Sequence, residues 1–358
     1  MPIISNDPVK KILTLLAVSL VPFVAAHAQA PQSRVPEGVK AHRDLAYAEN
    51  GHERQKLDLF LPEKSGAPLQ LLIWIHGGGW QAGSKDCCPA LHSGFVERGY
   101  AVASIAYRLS GHAIFPAQIE DCKAAIRWLR AHAAEYNLDP RRFGVWGSPA
   151  GGHLVALVGT SGDMKQFDVG SNLDQSSRIQ AVCDYYGPTD FTVFVTTPGY
   201  ESHATAESPE AKLIGGTVME NDYKAARVNP ITYVSHDDPP FLIVHGDKDP
   251  TVPINQSQIL FDALKKAGVS AHFHTIHGAG HGGPGFGGRT LMTWSPRFST
   301  GGSRSVPQKP RRSQRKATPI PCSPRVTLVR TCPRPAAHVA APLGMRCLRA
   351  TTRTRMAK

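Results

Sequence analysis

From about residue 42 onward, short runs of apolar residues alternate with longer segments whose apolar residues recur at helical spacing. Continuous apolar runs are typical of strands covered on both faces, whereas spacings of three and four residues indicate amphipathic helices. The pattern predicts strands over residues 43–47, 56–61, 69–75, 101–107, 142–148, 179–186, 241–245 and 271–276. It predicts helices over residues 88–98, 117–136, 150–159 and 255–267.

These repeated strand–helix–strand units predict an α/β protein with a mostly parallel central sheet and helices on both faces. The first two strands are the exception, because a turn at Asn50-Gly51 predicts that they pair antiparallel. Residues 188–236 break the alternation, and we interpret them as an insertion over the functional site. On the predicted helix 117–136, the side chains of Arg127, Trp128 and Arg130 are expected to form an exposed face.

The first 28 residues have the pattern of a secretory signal peptide. Lys10 and Lys11 precede an apolar stretch at residues 12–25, and small residues follow. Cleavage after Ala28 is favoured over cleavage after Ala30, because Pro31 would follow the second cut. An uncleaved membrane anchor is the alternative, although the apolar stretch is short for one. The pattern predicts a secreted or periplasmic protein with no membrane span after signal cleavage.

The net charge of +12 is concentrated in the last seventy residues. Residues 289–358 contain sixteen Lys or Arg and no acidic residue, while residues 1–288 carry a net charge of −4. Their Arg- and Pro-rich composition predicts a disordered basic tail, because such a segment cannot bury enough apolar surface to offset its ordering entropy. A shifted reading frame would produce the same composition. The predicted domain at residues 29–288 therefore gives no electrostatic reason to expect a nucleic-acid partner.

Neither the cysteines nor the histidines suggest a metal site. None of the seven cysteines has metal-ligand spacing, and buried thiols are favoured over a disulfide in the domain. Histidines do cluster near the last strand, at His272, His274, His277 and His281. A zinc site is the less favoured interpretation of this cluster, and we expect no cofactor.

Three glycine-rich segments follow predicted strands and carry the candidate chemistry. The first is His76-Gly77-Gly78-Gly79-Trp80. Glycines at such a position let backbone N–H groups turn toward a developing oxyanion. The alternative is an ordinary glycine-rich turn.

The second segment, Gly147-Ser148-Pro149-Ala150-Gly151, has the spacing of a nucleophile elbow. An elbow of the form G-x-S-x-G holds its nucleophile between two small residues, so the nucleophile position is residue 149. Proline has no hydroxyl, and its ring holds φ near −65°, which is the wrong sign for an elbow. Ser148 is a weak substitute, because its own flanking positions would be Trp146 and Ala150, and Trp146 is too bulky.

The third segment combines an acid and a base on consecutive strand-end loops. Asp249 heads a D-x-x-V-P turn, and His281 follows the next predicted strand. A carboxylate so placed can orient the imidazole that deprotonates a serine. Asp247 is the competing acid, with turn capping as its other role.

At these segments the chain resembles the bacterial α/β-hydrolase group that contains bifunctional feruloyl and acetyl xylan esterases and related carboxylesterases. The resemblance runs from about residue 42 to 288 and implies an α/β-hydrolase fold. It also implies a Ser–Asp–His triad that cleaves carboxylic esters through an acyl-enzyme. Asp249 would be the acid and His281 the base, with oxyanion-hole N–H groups from Gly78, Gly79 and Ala150. The serine corresponds to Pro149.

Two functions therefore compete for this sequence. One is a serine-type carboxylesterase acting on small-molecule or polysaccharide esters, such as acetylated or feruloylated xylan. The other is a catalytically inactive pseudoenzyme that binds ester or glycan ligands. Pro149 favours the second function, whereas the acid, the base and the oxyanion loop favour the first.

Overall fold

The computed structural model describes residues 33–287, whose strands form one mixed sheet. The strands are β1 (Val39–Ala46), β2 (Lys56–Pro62), β3 (Leu69–Ile75), β4 (Ala101–Ile105), β5 (Leu138–Gly147), β6 (Ala181–Tyr185), β7 (Phe241–Gly246) and β8 (Ala271–Ile276). The α-helices are α1 (Ala117–Ala131), α2 (Ala150–Thr160), α3 (Phe191–Thr196), α4 (Pro209–Ile214), α5 (Asp222–Val228) and α6 (Asn255–Lys266). Short 3₁₀ helices span Pro89–His92, Lys165–Phe167, Glu201–Ala204, Val218–Glu220 and Pro230–Tyr233. The predicted signal peptide at residues 1–28 and the basic tail at 289–358 lie outside the described residues.

The strands are ordered β1-β2-β4-β3-β5-β6-β7-β8 across the sheet. Strand β2 pairs antiparallel with β1 and with β4, and every later pair is parallel. The predicted α/β fold with a mostly parallel sheet is confirmed. Because the parallel strands point the same way, the loops after β3, β5, β7 and β8 emerge at one sheet edge.

The core lies on both faces of the sheet, and alternate residues of each central strand supply the two sides. In β3, Ile73 and Ile75 pack into one apolar cluster with the inner faces of α1, α2 and α6, while Leu72 and Trp74 pack into a second cluster on the other face. Both clusters are almost free of solvent contact. This alternation explains why the strands are continuous apolar runs.

The predicted helix over residues 88–98 is wrong. The structure has only the 3₁₀ helix Pro89–His92 there, followed by turns. Gly94 has φ of 75°, which lies outside the helical region, so the helix cannot continue through it. The segment nevertheless covers the second face of the sheet, because Leu91 and Phe95 are buried there.

The predicted exposed face of α1 is also wrong. Arg127 is buried, and its Nη1 lies 3.1 Å from Oδ1 of Asp168. Lys123, one turn earlier, pairs with the same carboxylate at 3.1 Å. The chain that follows α2 folds over this side of α1 and carries Asp168 between the two cations. A helical pattern with charges on one side cannot reveal that another segment will cover those charges.

The segment at residues 188–236 contains α3, α4, α5 and three of the 3₁₀ helices, so it is an insertion of short helices between β6 and β7. A hydrogen-bonding side chain of α6 holds the start of this insertion, since Gln256 Oε1 accepts the N–H groups of Thr189 and Asp190. Within residues 33–287 no helix has the length and apolar content needed to cross a bilayer.

Candidate active site

The elbow joins β5 to α2 through a turn that tolerates only the smallest residues. A Cβ atom on Gly147 would clash with the backbone of Gly151, and one on Gly151 would clash with the carbonyl of Ile75. Between them, Pro149 has φ of −67° and ψ of −45°, and its carbonyl accepts the His153 N–H at 3.0 Å. The nucleophile position is thus occupied by a residue in right-handed helical conformation that has no hydroxyl.

Ser148 lies one residue before the nucleophile position and beside Tyr186. Burial, the larger effect, raises the pKa of Tyr186, whereas interaction with the Ser148 side chain lowers it. The Tyr186 ring lies 4.8 Å from the ring of His281, centroid to centroid. Tyr186 thus interacts with Ser148 and also lies beside the imidazole of His281. Sequence reasoning included Tyr186 in the segment at residues 185–190 that resembles the esterases but gave it no role, and its position after β6, the neighbour of β5, is the signal that could have indicated one.

The structure brings Asp249 and His281 together. Oδ2 of Asp249 lies 2.8 Å from Nδ1 of His281, and Oδ1 accepts the N–H groups of Thr251 and Val252 at 2.8 and 2.9 Å. Oδ2 also lies 3.3 Å from Nε2 of His245. Burial alone would raise the pKa of Asp249. The hydrogen bonds from the two histidines and the two backbone N–H groups outweigh burial and lower the pKa well below its usual range.

An ionised Asp249 fixes the protonation of the imidazole beside it. The carboxylate can only accept, so the His281 Nδ1 carries the proton, and in the neutral imidazole Nε2 is the atom with the lone pair. Nε2 is then free to take a proton from a nucleophile. The competing acid, Asp247, instead lies 3.0 Å from Nδ1 of the exposed His277 and accepts the Gly278 N–H.

The segment His76-Gly77-Gly78-Gly79-Trp80 after β3, which is the candidate oxyanion loop and is called the glycine loop here, lies directly against the elbow. A Cβ atom on Gly77 would clash with the Ser148 carbonyl and would lie 2.6 Å from Cδ of Pro149. Gly78 and Gly79 have φ of 102° and 57°, which glycine adopts without strain. The glycine loop therefore contacts the elbow at residues 148 and 149 through Gly77.

The insertion contacts both sides of this site. The side chain of Pro209, at the start of α4, approaches Gly79 closely enough that a Cβ there would lie 3.4 Å away. The Tyr200 hydroxyl donates to the carbonyl of Asp249. The chain between Tyr200 and Pro209 therefore runs from the acid loop to the oxyanion loop, as expected for an insertion over the site.

The described part of the chain contains no group of three or more His, Cys, Asp or Glu side chains arranged to hold a metal ion. His272 and His274 lie on β8. The four cysteines at 87, 88, 122 and 183 are free, and all except Cys87 are buried.

The sequence of this chain is similar to those of known proteins. A family model described as BD-FAE matches residues 57–264. Esterase LipQ of Mycobacterium tuberculosis is 33% identical over 232 residues, which cover 63% of this chain and 53% of that protein. The chain spans about half the length of the curated relatives it matches.

Solved structures give the same result. A truncated form of a carbohydrate esterase from gut microbiota is 31% identical with a TM-score of 0.66, covering 76% of this chain and all of that one. An acetyl ester-xyloside bifunctional hydrolase from Caldicellulosiruptor lactoaceticus is 25% identical with a TM-score of 0.57, covering 68% of this chain and 88% of that one.

Proposed function

This chain belongs to the BD-FAE family of α/β-hydrolase esterases, and we propose that its site is that of a serine-type carboxylic ester hydrolase whose nucleophile position is occupied by Pro149. The observation that carries the proposal is the 2.8 Å contact between Asp249 and His281 at the sheet edge where the elbow and the glycine loop meet. In this chain the site binds carboxylic esters and turns them over at a trace rate.

Each group has a defined role in the proposed reaction. A serine hydroxyl at residue 149 would lose its proton to Nε2 of His281 as its oxygen attacks the ester carbonyl. N–H groups of Gly78, Gly79 and Ala150 would stabilise the oxyanion, and Asp249 would stabilise the imidazolium. The alcohol leaves with the proton from His281, and a water activated by the same imidazole then releases the acid.

Pro149 interrupts this sequence at its first step, because no hydroxyl is present to form the acyl-enzyme. A triad enzyme without its nucleophile retains about 10³- to 10⁴-fold acceleration over water from binding and the oxyanion hole. Pro149 is also the observation that favours the second candidate function, a protein that binds ester or glycan ligands without turnover.

For the substrate we propose acetylated or feruloylated plant cell-wall polysaccharides. Two similar solved proteins support this class, since one is described as a carbohydrate esterase and the other as an acetyl ester-xyloside bifunctional hydrolase. A polysaccharide substrate also agrees with the proposed secreted or periplasmic location, which rests on the signal-peptide pattern of residues 1–28. Release of acetate from acetylated xylo-oligosaccharides by an active variant would support the assignment, and activity confined to p-nitrophenyl acetate would refute it.

The proposal is tested by restoring the serine. Pro149→Ser should raise p-nitrophenyl acetate hydrolysis at least about 10³-fold, since removal of the serine from a triad can cost about 10⁶-fold in kcat. A serine-directed phosphonate should label residue 149 in this variant and leave the original protein unmodified.

Pro149→Ala is the matched control, because it removes the proline ring without adding a hydroxyl, and it should remain as inactive as the original. A Pro149→Ser protein that folds yet neither reacts with phosphonate nor hydrolyses any ester would overturn the proposal. Robust hydrolysis by the original chain that survives Asp249→Asn and His281→Ala would also show that these roles are wrong.

A further inference from the structure

Arg54 lies in the turn between β1 and β2 and contacts the glycine loop. No sequence motif had indicated a role for it. Its Nη2 lies 3.2 Å from Nε2 of His76 and donates to the carbonyl of Gly83 at 2.8 Å. Its Nε donates to the carbonyl of Tyr107 at 2.9 Å. One guanidinium thus joins three points around the loop that begins at His76.

This contact determines which nitrogen of His76 carries the proton. A guanidinium only donates, so the Nε2 atom facing Arg54 must be the acceptor. The proton then lies on Nδ1, which is 2.8 Å from the carbonyl of Gly77 and donates to it. His76 is neutral in this arrangement, because burial above all, together with the nearby Arg54 charge, lowers its pKa to about 4.

The position of the imidazole ring is fixed as well. The ring stacks on Tyr107 at 4.3 Å with 13° between the planes, and the Tyr107 hydroxyl donates to the His76 carbonyl at 2.9 Å. Gly83 leaves the space that the ring needs, since a Cβ there would lie 2.5 Å from both the Gly77 oxygen and Nδ1 of His76.

A fixed Gly77 carbonyl aims the N–H of the next residue. The peptide bond between Gly77 and Gly78 is planar and trans, so its C=O and N–H point in opposite directions. The bond from His76 turns the Gly77 C=O toward the imidazole and therefore turns the Gly78 N–H away from it. On the other side of Gly78, its carbonyl accepts the N–H groups of Gln81 and Ala82, both at 3.0 Å. Both peptide planes that flank Gly78 are thus held in place.

We infer that Arg54 is a positioning residue for the oxyanion loop, which acts by donating to Nε2 of His76 and so holding the Gly77 carbonyl and aiming the Gly78 N–H. The consequence for catalysis rests on the proposed function. The protonation of His76 does not, and it can be measured in the protein as it exists.

The first experiment is nitrogen-15 NMR of the histidine side chains in the original full-length chain. His76 should appear as the neutral tautomer with the proton on Nδ1, and its Nδ1–H resonance should be protected from solvent exchange by the Gly77 carbonyl. Loss of the resonance in His76→Gln assigns it. Arg54→Met should speed exchange of this proton, and Arg54→Lys, which is also a pure donor, should largely restore its protection. A proton on Nε2 in the original protein would overturn the inference without bearing on the esterase proposal.

The second experiment measures catalysis in the Pro149→Ser background. Arg54→Met should lower kcat about 10²-fold with KM little changed, because loss of one oxyanion-hole donor costs about 10²- to 10³-fold in kcat. Phosphonate labelling should slow in parallel, and Arg54→Lys should recover most of both rates. Arg178→Met is the matched control, since Arg178 pairs with Asp163 and Asp237 outside the site.

Unchanged kcat in a folded Arg54→Met variant would refute the positioning role even if the NMR result were as expected. If Pro149→Ser itself were inactive, the proposed function would fail, and the NMR experiment would still decide the contact between Arg54 and His76.

Discussion

Asp184→Asn should stabilise the protein at neutral pH and lose this effect in acid. Asp184 is fully buried at the carboxyl end of β6, where Oδ1 accepts the Gly187 N–H at 2.9 Å and Oδ2 has no partner among the described residues. Burial raises its pKa to about 6, with the Gly187 hydrogen bond and the His245 charge opposing the rise.

The direction and size of the effect follow from the two states of the chain. An unfolded Asp releases its proton near pH 3.9, whereas the native state holds it to about pH 6, so the native state binds more protons between these values. The stability contributed by Asp184 is therefore present below about pH 4 and is lost as pH rises to 6. A difference of about two pKa units corresponds to about 3 kcal/mol. Asn keeps the acceptor for Gly187 and does not ionise, so it avoids this loss.

The measurement is urea unfolding of the original and variant proteins at pH 4 and pH 7.5. The free energy of unfolding of Asp184→Asn, relative to the original, should be about 3 kcal/mol more favourable at pH 7.5 than at pH 4. Asp174→Asn, at an exposed position, is the control and should show no such dependence. A stability difference that does not change with pH would show that Asp184 ionises normally in the folded protein and would refute the reasoning.

Two further substitutions test the buried ion pairs of α1 and the close packing at the elbow. Asp168→Ala should lower the free energy of unfolding by about 3–5 kcal/mol, because it leaves the buried Lys123 and Arg127 without their counter-ion. The control Asp163→Ala removes one partner of an exposed ion pair and should cost less than about 1 kcal/mol. Equal effects of the two substitutions would contradict a buried ion-pair network. Gly151→Ala should lower the melting temperature, because the added Cβ would clash with the Ile75 carbonyl. Such overpacking costs about 1–3 kcal/mol. The control Gly111→Ala places its Cβ in open space and should leave the melting temperature unchanged. A Gly151→Ala protein as stable as the original would show that the elbow has more room than the structure gives it.

The regular part of the fold could be predicted from sequence because its strands are buried on both faces. The runs at β3 and β8 were predicted with the bounds that the structure has, and the order of glycine loop, elbow, acid and base follows from motifs at strand ends. The helix at residues 88–98 could not be excluded in this way. Its apolar residues are buried as a helical pattern requires, but Gly94 takes a conformation that only the tertiary context selects.

Contacts between segments far apart in the chain were the part that sequence could not supply. Arg127 is a charged residue on a helix, and only the return of the chain at Asp168 makes it an interior residue. Arg54 belongs to no motif of the reaction and no role for Tyr186 followed from the sequence, since what each does depends on contacts with His76, Ser148 and His281. A pattern identifies residues that act together along one element, whereas these act across elements that only the folded sheet brings together.

The effect of a proline at the elbow can be separated into a backbone part and a side-chain part. The Ala150 N–H belongs to the peptide after Pro149, whose carbonyl accepts the His153 N–H along α2. Because that peptide is planar, the Ala150 N–H points out of the helix N-terminus when residue 149 has the backbone conformation of Pro149. A serine there must in addition move from φ of −67° to a positive value, which costs a non-glycine residue about 1–2 kcal/mol. Gly147 and Gly151 already provide the space for that turn. Pro149→Ala tests the backbone part alone, so any activity that Pro149→Ser gains over it comes from the hydroxyl.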